Sequence, residues 1–205
     1  MLIIGLTGSI GMGKTRAGSI LRTMSIPVCD SDSLVHKIME KDTQAISAIL
    51  RLFPEAADPA GVNRQVLGQI VFKNKKALRD LEAILHPLVR KHQTKFLRIS
   101  KLKSSKIAVL DVPLLYENGT NEKCDAVIVM TAPFFIQKKR VMSRLGMTED
   151  RFRNILLHQL SDQEKRKRAD FVIQTGECVH NTHTALKRVI NVIRNLNPTK
   201  WGPNW

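Results

Sequence analysis

Eight residues close to the start of the 205-residue chain, Gly8-Ser9-Ile10-Gly11-Met12-Gly13-Lys14-Thr15, have the spacing G-x-x-x-x-G-K-T. A loop that wraps phosphate oxygens in backbone N–H groups needs residues that accept unusual φ/ψ and put no side chain in the way, hence the glycines. Lys14 then reaches the β- and γ-phosphates as a point charge, and the Thr15 hydroxyl is placed to ligate a Mg²⁺ ion bridging them. A dinucleotide-binding loop is excluded by spacing. The glycines fall as G-x-x-G-x-G, and a Lys-Thr pair has no place in that fingerprint. Chance would supply the four specified positions in about one chain of this length in a hundred.

Three carboxylates could join that loop. Asp30 and Asp32 follow the short apolar run Ile26-Pro27-Val28-Cys29, and Asp111 ends the run Ile107-Ala108-Val109-Leu110. An apolar strand ending in Asp suits a direct or outer-sphere Mg²⁺ contact. Either Asp30 or Asp32 also suits the cap of a helix opening near Ser33. Capping is the preferred reading for Asp30 but not for Asp32. A basic stretch follows later, with Lys138, Lys139, Arg140 and Arg144, then Arg151 and Arg153. Arg140 and Arg144 lie four apart and share a helix face, just before a Leu145-Gly146 hinge. A mobile flap that excludes water and brings guanidinium groups to developing negative charge has this pattern, and so does an exposed basic helix pair.

The elements that must position these residues begin with the run Leu2-Ile3-Ile4-Gly5-Leu6-Thr7, a strand. The helix that the loop must open spans 14–24, with Ala17, Ile20, Leu21 and Met24 at helical spacing. Strand, helix and strand in about thirty residues make a βαβ unit and imply a parallel sheet, with ligands at the carboxyl ends of its strands. A second amphipathic helix covers 43–52, and 54–61 is turn punctuation. From 63 to about 101 the pattern is helical throughout and separates into 63–72, 75–84 and 87–99, the last opening with Pro87. This basic region reads as a helical insertion outside the sheet. Later elements are a strand over 125–130, a helix opened by the capping box Ser161-Asp162-Gln163-Glu164, a strand over 169–173, a helix over 179–196 and a loosely held tail over 197–205.

Composition bounds the rest. Hydrophobic and charged fractions of 43 % and 25 % fit one globular domain with embellishments or two small ones. The net charge of +15 suits a polyanionic ligand, and nucleic acid equally. Against nucleic acid, aromatic residues are only 5 % and no basic–aromatic stacking motif is visible. Cys29, Cys124 and Cys178 are odd in number and form no C-x-x-C pair, which argues for a reducing compartment, no metal cluster and three small buried hydrophobes. His180 and His183 read as surface residues. No run approaches the length of a membrane span, and the immediate first strand leaves no room for a signal peptide, so a cytoplasmic protein with no membrane partner is expected. Oligomeric state is not legible; a monomer and a weak homo-oligomer both fit.

Taken together, Gly5 to Thr15, Asp30-Ser31-Asp32, Asn63-Arg64, Leu85-His86-Pro87, Val112-Pro113-Leu114-Leu115-Tyr116-Glu117, Lys138-Lys139-Arg140 with Arg144, and Gln159 through Lys165 to Ala169-Asp170 closely resemble the dephospho-CoA kinase family. The resemblance runs in order from end to end except for the tail. It implies an α/β P-loop three-layer fold with a five-stranded parallel sheet, a helical acceptor-binding insertion over about 58–103, and a helical lid over about 138–168. It further implies that ATP, with Mg²⁺, donates its γ-phosphoryl to the ribose 3′-hydroxyl of dephospho-CoA, giving CoA and ADP. Asp32 matches the second Asp of the family's pair and is the expected base. Arg140 and Arg144 match lid positions that contact phosphates, and Arg64, His86 and Glu117 match positions lining the acceptor side. Two departures stand out: Ser31 replaces the usual alanine between the aspartates, and Gln174-Thr175 stands where relatives commonly carry Asn or Asp before the glycine, near the adenine. Another P-loop small-molecule or nucleoside monophosphate kinase is the nearest rival, and a nucleic-acid-binding P-loop protein a more distant one.

Overall fold

The computed structural model describes residues 1–59 and 61–202. Ala60, within the punctuation at 54–61, and residues 203–205 of the expected tail lie outside the described residues. In chain order the elements open with β1 (Leu2–Thr7), α1 (Lys14–Thr23), β2 (Val28–Asp30), α2 (Ser31–Lys41) and α3 (Thr43–Leu52). They continue with β3 (Ala57–Asp58), β4 (Gly61–Val62), α4 (Arg64–Lys73), α5 (Lys75–Leu102), β5 (Ile107–Asp111) and β6 (Ala126–Thr131). The last are α6 (Phe134–Met142), α7 (Glu149–Leu157), α8 (Asp162–Arg168), β7 (Phe171–Gln174) and α9 (Val179–Ile193). The chain forms two compact units: residues 1–30 with those from 97 onward, and Ser31–Phe96.

The first unit is built on a five-stranded parallel sheet in the order β2-β5-β1-β6-β7. Parallel strands covered on both faces need unbroken apolar runs, and β1, β5 and β6 are buried at every residue. On one face, Leu21 of α1 and Leu186, Ile190 and Ile193 of α9 close over Ile4, Ile128 and Ile173. The edge strands β2 and β7 are only partly buried. At the amino end of the sheet, two carboxylates satisfy strand N–H groups that have no ladder partner. Asp125, just before β6, accepts from Ile3 at 2.8 Å, and Asp170, just before β7, accepts from Val127 at 2.8 Å. Asp125 also accepts the N–H groups of Thr199 and Lys200, at 2.6 and 3.0 Å. That part of the expected loose tail is therefore pinned to the sheet.

The second unit packs α2, α3, α4 and the first part of α5 around Ile38, Ile49, Leu67, Leu81 and Leu85. Here the expected break before Pro87 is corrected: α5 runs through it for 28 residues. A proline inside a helix forfeits one hydrogen bond and costs about 3 kcal/mol. Leu81 and Leu85, with Ile84, Leu88 and Val89, continue one apolar stripe across it. At about 1.5–3 kcal/mol for each fully buried side chain, the stripe outweighs the proline. The true break is Asn74, whose Oδ1 caps α5 by accepting from Lys76 and Ala77 at 2.9 and 3.2 Å. Within the 54–61 punctuation and the residue after it, Ala57–Asp58 and Gly61–Val62 form the two-residue antiparallel ladder β3–β4. Of the cysteines, Cys124 is buried, Cys29 is half-buried and Cys178 is exposed at the start of α9, against the expectation of three buried ones. No helix among the described residues is long and apolar enough to cross a membrane.

Candidate active site

The register of the sheet sets the first contact of the site. β1 and β5 are neighbours, with Leu6 opposite Asp111, so the loop leaving β1 and the carboxylate ending β5 emerge side by side at the carboxyl edge. Lys14, the first residue of α1, turns back to place Nζ 2.6 Å from Asp111 Oδ1. The pair is largely buried, at 13 % and 2 % side-chain exposure. Gly11 and Gly13 hold φ of +78° and +85°, a region that L side chains rarely adopt. A Cβ on Gly13 would stand 3.0 Å from Thr175 Oγ1, and one on Gly11 would stand 2.6 Å from Val141. No side chain caps the start of α1, so its leading N–H groups and the positive end of its dipole face the loop. Thr15 is exposed there and Ser9 is buried.

The loop is braced by side chains from distant elements. Ile10 donates its N–H to Gln159 Oε1 at 3.1 Å, and its carbonyl accepts from Gln137 Nε2 at 2.8 Å. Met12 is 2 % exposed; its sulfur accepts the N–H of Ala132 at 3.1 Å and its carbonyl accepts the Thr175 hydroxyl at 3.0 Å. Arg140 is bound to the same place. Its Nη1 donates to Thr175 Oγ1 at 3.0 Å and to the Gly11 carbonyl at 3.4 Å, and its Nη2 donates to the Thr175 carbonyl at 2.5 Å. Arg144, beyond the end of α6, is exposed. Between α6 and α7, Gly146 adopts a φ of +72° and its carbonyl accepts from Arg151 at 2.6 Å. Lys138 meets Glu149 at 2.7 Å and holds that carboxyl below the usual carboxylate range. Phe134 stacks on Phe152 across the same helix pair.

Glu117 lies beyond β5 and is engaged within the first unit. Its Oε1 accepts from Lys165 Nζ at 3.0 Å and from the Leu160 N–H at 2.7 Å, while Oε2 is buried without a hydrogen-bond partner. The neighbouring Tyr116 hydroxyl is pushed up to about 12, first by burial and then by the Asp170 charge. Asp32, Arg64 and His86 belong to the second unit. Asp32 sits in the first turn of α2, two residues past Asp30, whose strand position pairs with Asp111. Arg64 is the exposed first residue of α4, behind an Asn63 cap whose Oδ1 accepts from Gln65 and Val66 at 3.1 and 3.2 Å. His86 is half-buried in α5.

Lys14, Asp111, Arg140 and the loop are thus gathered at one sheet edge. Gln137, Gln159, Lys165 and Thr175 were not singled out for the contacts they make. Lys165 hides in the run Lys165–Arg168, which reads as a solvated face. The available signal was its place four residues after the Ser161 cap.

The family model described as dephospho-CoA kinase (CoaE) matches residues 2–180. The dephospho-CoA kinase of Novosphingobium aromaticivorans is 42 % identical over 196 residues, covering 96 % of each chain. That of Agrobacterium fabrum is 42 % identical over 190 residues, covering 93 % of this chain and 97 % of its own. Among solved structures, TT1252 from Thermus thermophilus superposes with a TM-score of 0.81 at 32 % identity, covering 94 % and 97 % of the two chains. The dephospho-CoA kinase of Campylobacter jejuni gives 0.69 at 26 %, covering 94 % and 96 %.

Proposed function

The chain belongs to the dephospho-CoA kinase family, and from that premise we propose how its own residues carry the transfer of the γ-phosphoryl of ATP to the ribose 3′-hydroxyl of dephospho-CoA, the last step of coenzyme A biosynthesis. The observation that carries the donor half is the buried contact of 2.6 Å between Lys14 and Asp111 at the carboxyl ends of adjacent strands. The loop from Gly8 to Thr15 wraps the phosphates with its N–H groups, and Lys14 meets the β- and γ-oxygens. Mg²⁺ fits the donor set, because the Thr15 hydroxyl and the Asp111 carboxylate offer the hard oxygen ligands it prefers. Such an ion would supply positive charge to offset the negative charge of the phosphates.

On the acceptor side, Asp32 is the base. It takes the proton of the 3′-hydroxyl as the new O–P bond forms and ADP departs; a loose transition state asks only modest help from it. The helical insertion over about 58–103 holds dephospho-CoA, with Arg64 and His86 as contacts. Glu117, with Oε1 held by Lys165 and Leu160 and Oε2 buried, is given no acceptor contact in this reading. Of the segment of about 138–168 read as the lid, the exposed stretch around Arg144 is the part that moves and brings Arg144 to the phosphates on closure. Arg140 contributes positive charge from its anchorage on the loop, and 159–165 stays fixed. The +15 charge then serves two polyanionic substrates, without nucleic acid, and the enzyme works in the cytoplasm. The test is an acceptor panel: ATP with dephospho-CoA, a nucleoside monophosphate or a sugar, read as ADP release. Turnover with dephospho-CoA is expected; turnover confined to another acceptor overturns the reading.

A further inference from the structure

Lys165 is fully buried although Arg166, Lys167 and Arg168 beside it are exposed. Its Nζ donates to the Pro113 carbonyl at 3.1 Å and pairs with Glu117 Oε1 at 3.0 Å. Pro113 O also accepts the hydroxyl of Thr7, the last residue of β1, at 3.0 Å. Glu117 Oε1 in turn holds the N–H of Leu160, and the residue before it, Gln159, holds the N–H of Ile10. A buried ion pair is a poor source of net stability, because desolvation offsets attraction, and its best-attested use is to fix one arrangement among several. What this pair fixes is the 159–160 segment, and through it the orientation of a peptide in the middle of the phosphate loop.

We propose that Glu117 and Lys165 are positioning residues for the nucleotide, acting through Gln159 on the N–H of Ile10. Glu117 thereby works on the donor side of the reaction. Without the pair, the 159–160 segment loses its anchor, Gln159 no longer holds Ile10, and the peptides flanking Ile10 can rotate their N–H groups away from phosphate. The proposal rests on the ATP-binding reading of the loop and is independent of which acceptor is used.

The test measures affinity for a non-hydrolysable ATP analogue without acceptor, alongside the KM for dephospho-CoA and the melting midpoint. Gln159→Ala, at a half-buried site, is expected to keep the midpoint and weaken analogue binding about tenfold, the scale of one hydrogen bond. Glu117→Gln is expected to weaken it by a similar factor with the KM for dephospho-CoA unchanged. The two changes combined are expected to cost no more than one alone, because they act in series. Replacing both members of the pair, Glu117→Met with Lys165→Met, removes the unpaired-charge penalty and is expected to restore the midpoint without restoring analogue affinity. The proposal is overturned if Gln159→Ala binds the analogue normally, if the effects of Gln159→Ala and Glu117→Gln add, or if the double methionine variant regains affinity along with stability. A rise in the dephospho-CoA KM with unchanged analogue affinity in Glu117→Gln also overturns it and returns Glu117 to the acceptor side.

Discussion

Thr175 offers the sharpest quantitative test of how the phosphate loop is held. Its side chain is 5 % exposed, donates to the Met12 carbonyl at 3.0 Å and accepts from Arg140 at 3.0 Å. Thr175→Val keeps the shape and removes both bonds. Arg140 is half-exposed, retains the carbonyls of Thr175 and Gly11, and reaches water. Met12 is 2 % exposed, so its carbonyl loses a partner that solvent cannot replace. One buried acceptor left unsatisfied costs about 1–3 kcal/mol, and a central value of about 2 kcal/mol lowers the melting midpoint of a chain this size by about 4–8 °C. Thermal unfolding of Thr175→Val beside Thr175→Ser, which keeps the hydroxyl, isolates the bond from the volume. The serine variant is expected to stay within about 1 kcal/mol of the parent. If the valine variant melts within about 2 °C of the parent, the Met12 contact does not brace the loop and the reasoning fails.

Asp32→Asn is expected to lower kcat by about 10² or more with ATP affinity nearly intact; unchanged turnover removes Asp32 from the role of base. Lys14→Ala is expected to weaken both nucleotide binding and rate, since its charge meets the phosphates in ground and transition states, and survival of both would leave the motif without a purpose. Burial pushes the Cys124 thiol up to about 12 from 9.0, with the Asp125 charge adding to it. A raised thiol is neutral in the fold while the unfolded chain ionises, so this contribution to stability is full below pH 9, falls as pH rises above it, and is lost by about pH 12. Urea titrations at rising alkaline pH check that slope, and Cys124→Ala should flatten it. In the native protein at pH 8, a thiol reagent should label exposed Cys178 and leave Cys124 unreacted until denaturant is added.

The contrast between legible and hidden features has a physical basis. The loop, its strand and its helix were legible because glycine placement and unbroken apolar runs are local consequences of phosphate binding and of burial on both sheet faces. The same holds for the Ser161 cap, whose Oγ accepts the N–H of Glu164 at 3.1 Å. Pro87 misled because its local cost is overridden by an apolar stripe that matters only once the second unit has packed. The β3–β4 ladder is too short to carry a period. Lys165, Gln159 and Thr175 were illegible as partners because each contact joins residues at least 35 positions apart in sequence, as for Thr175 and Arg140. Their types say that they can make hydrogen bonds, and only the fold says to what.

The central strand β1 pairs with β5 on one side and β6 on the other. It is also the first element in the chain, whereas the second unit, Ser31–Phe96, is continuous in sequence. On the ribosome, Leu2-Ile3-Ile4-Gly5-Leu6 therefore emerges about a hundred residues before Ile107, the start of its first partner. At about 5–20 residues per second it waits some 5–20 s with its ladder groups and apolar side chains unpaired, while the inserted unit can already fold behind it. Vectorial synthesis thus exposes the strand that later carries the phosphate loop to holdases and to other nascent chains for longer than any other strand of the sheet.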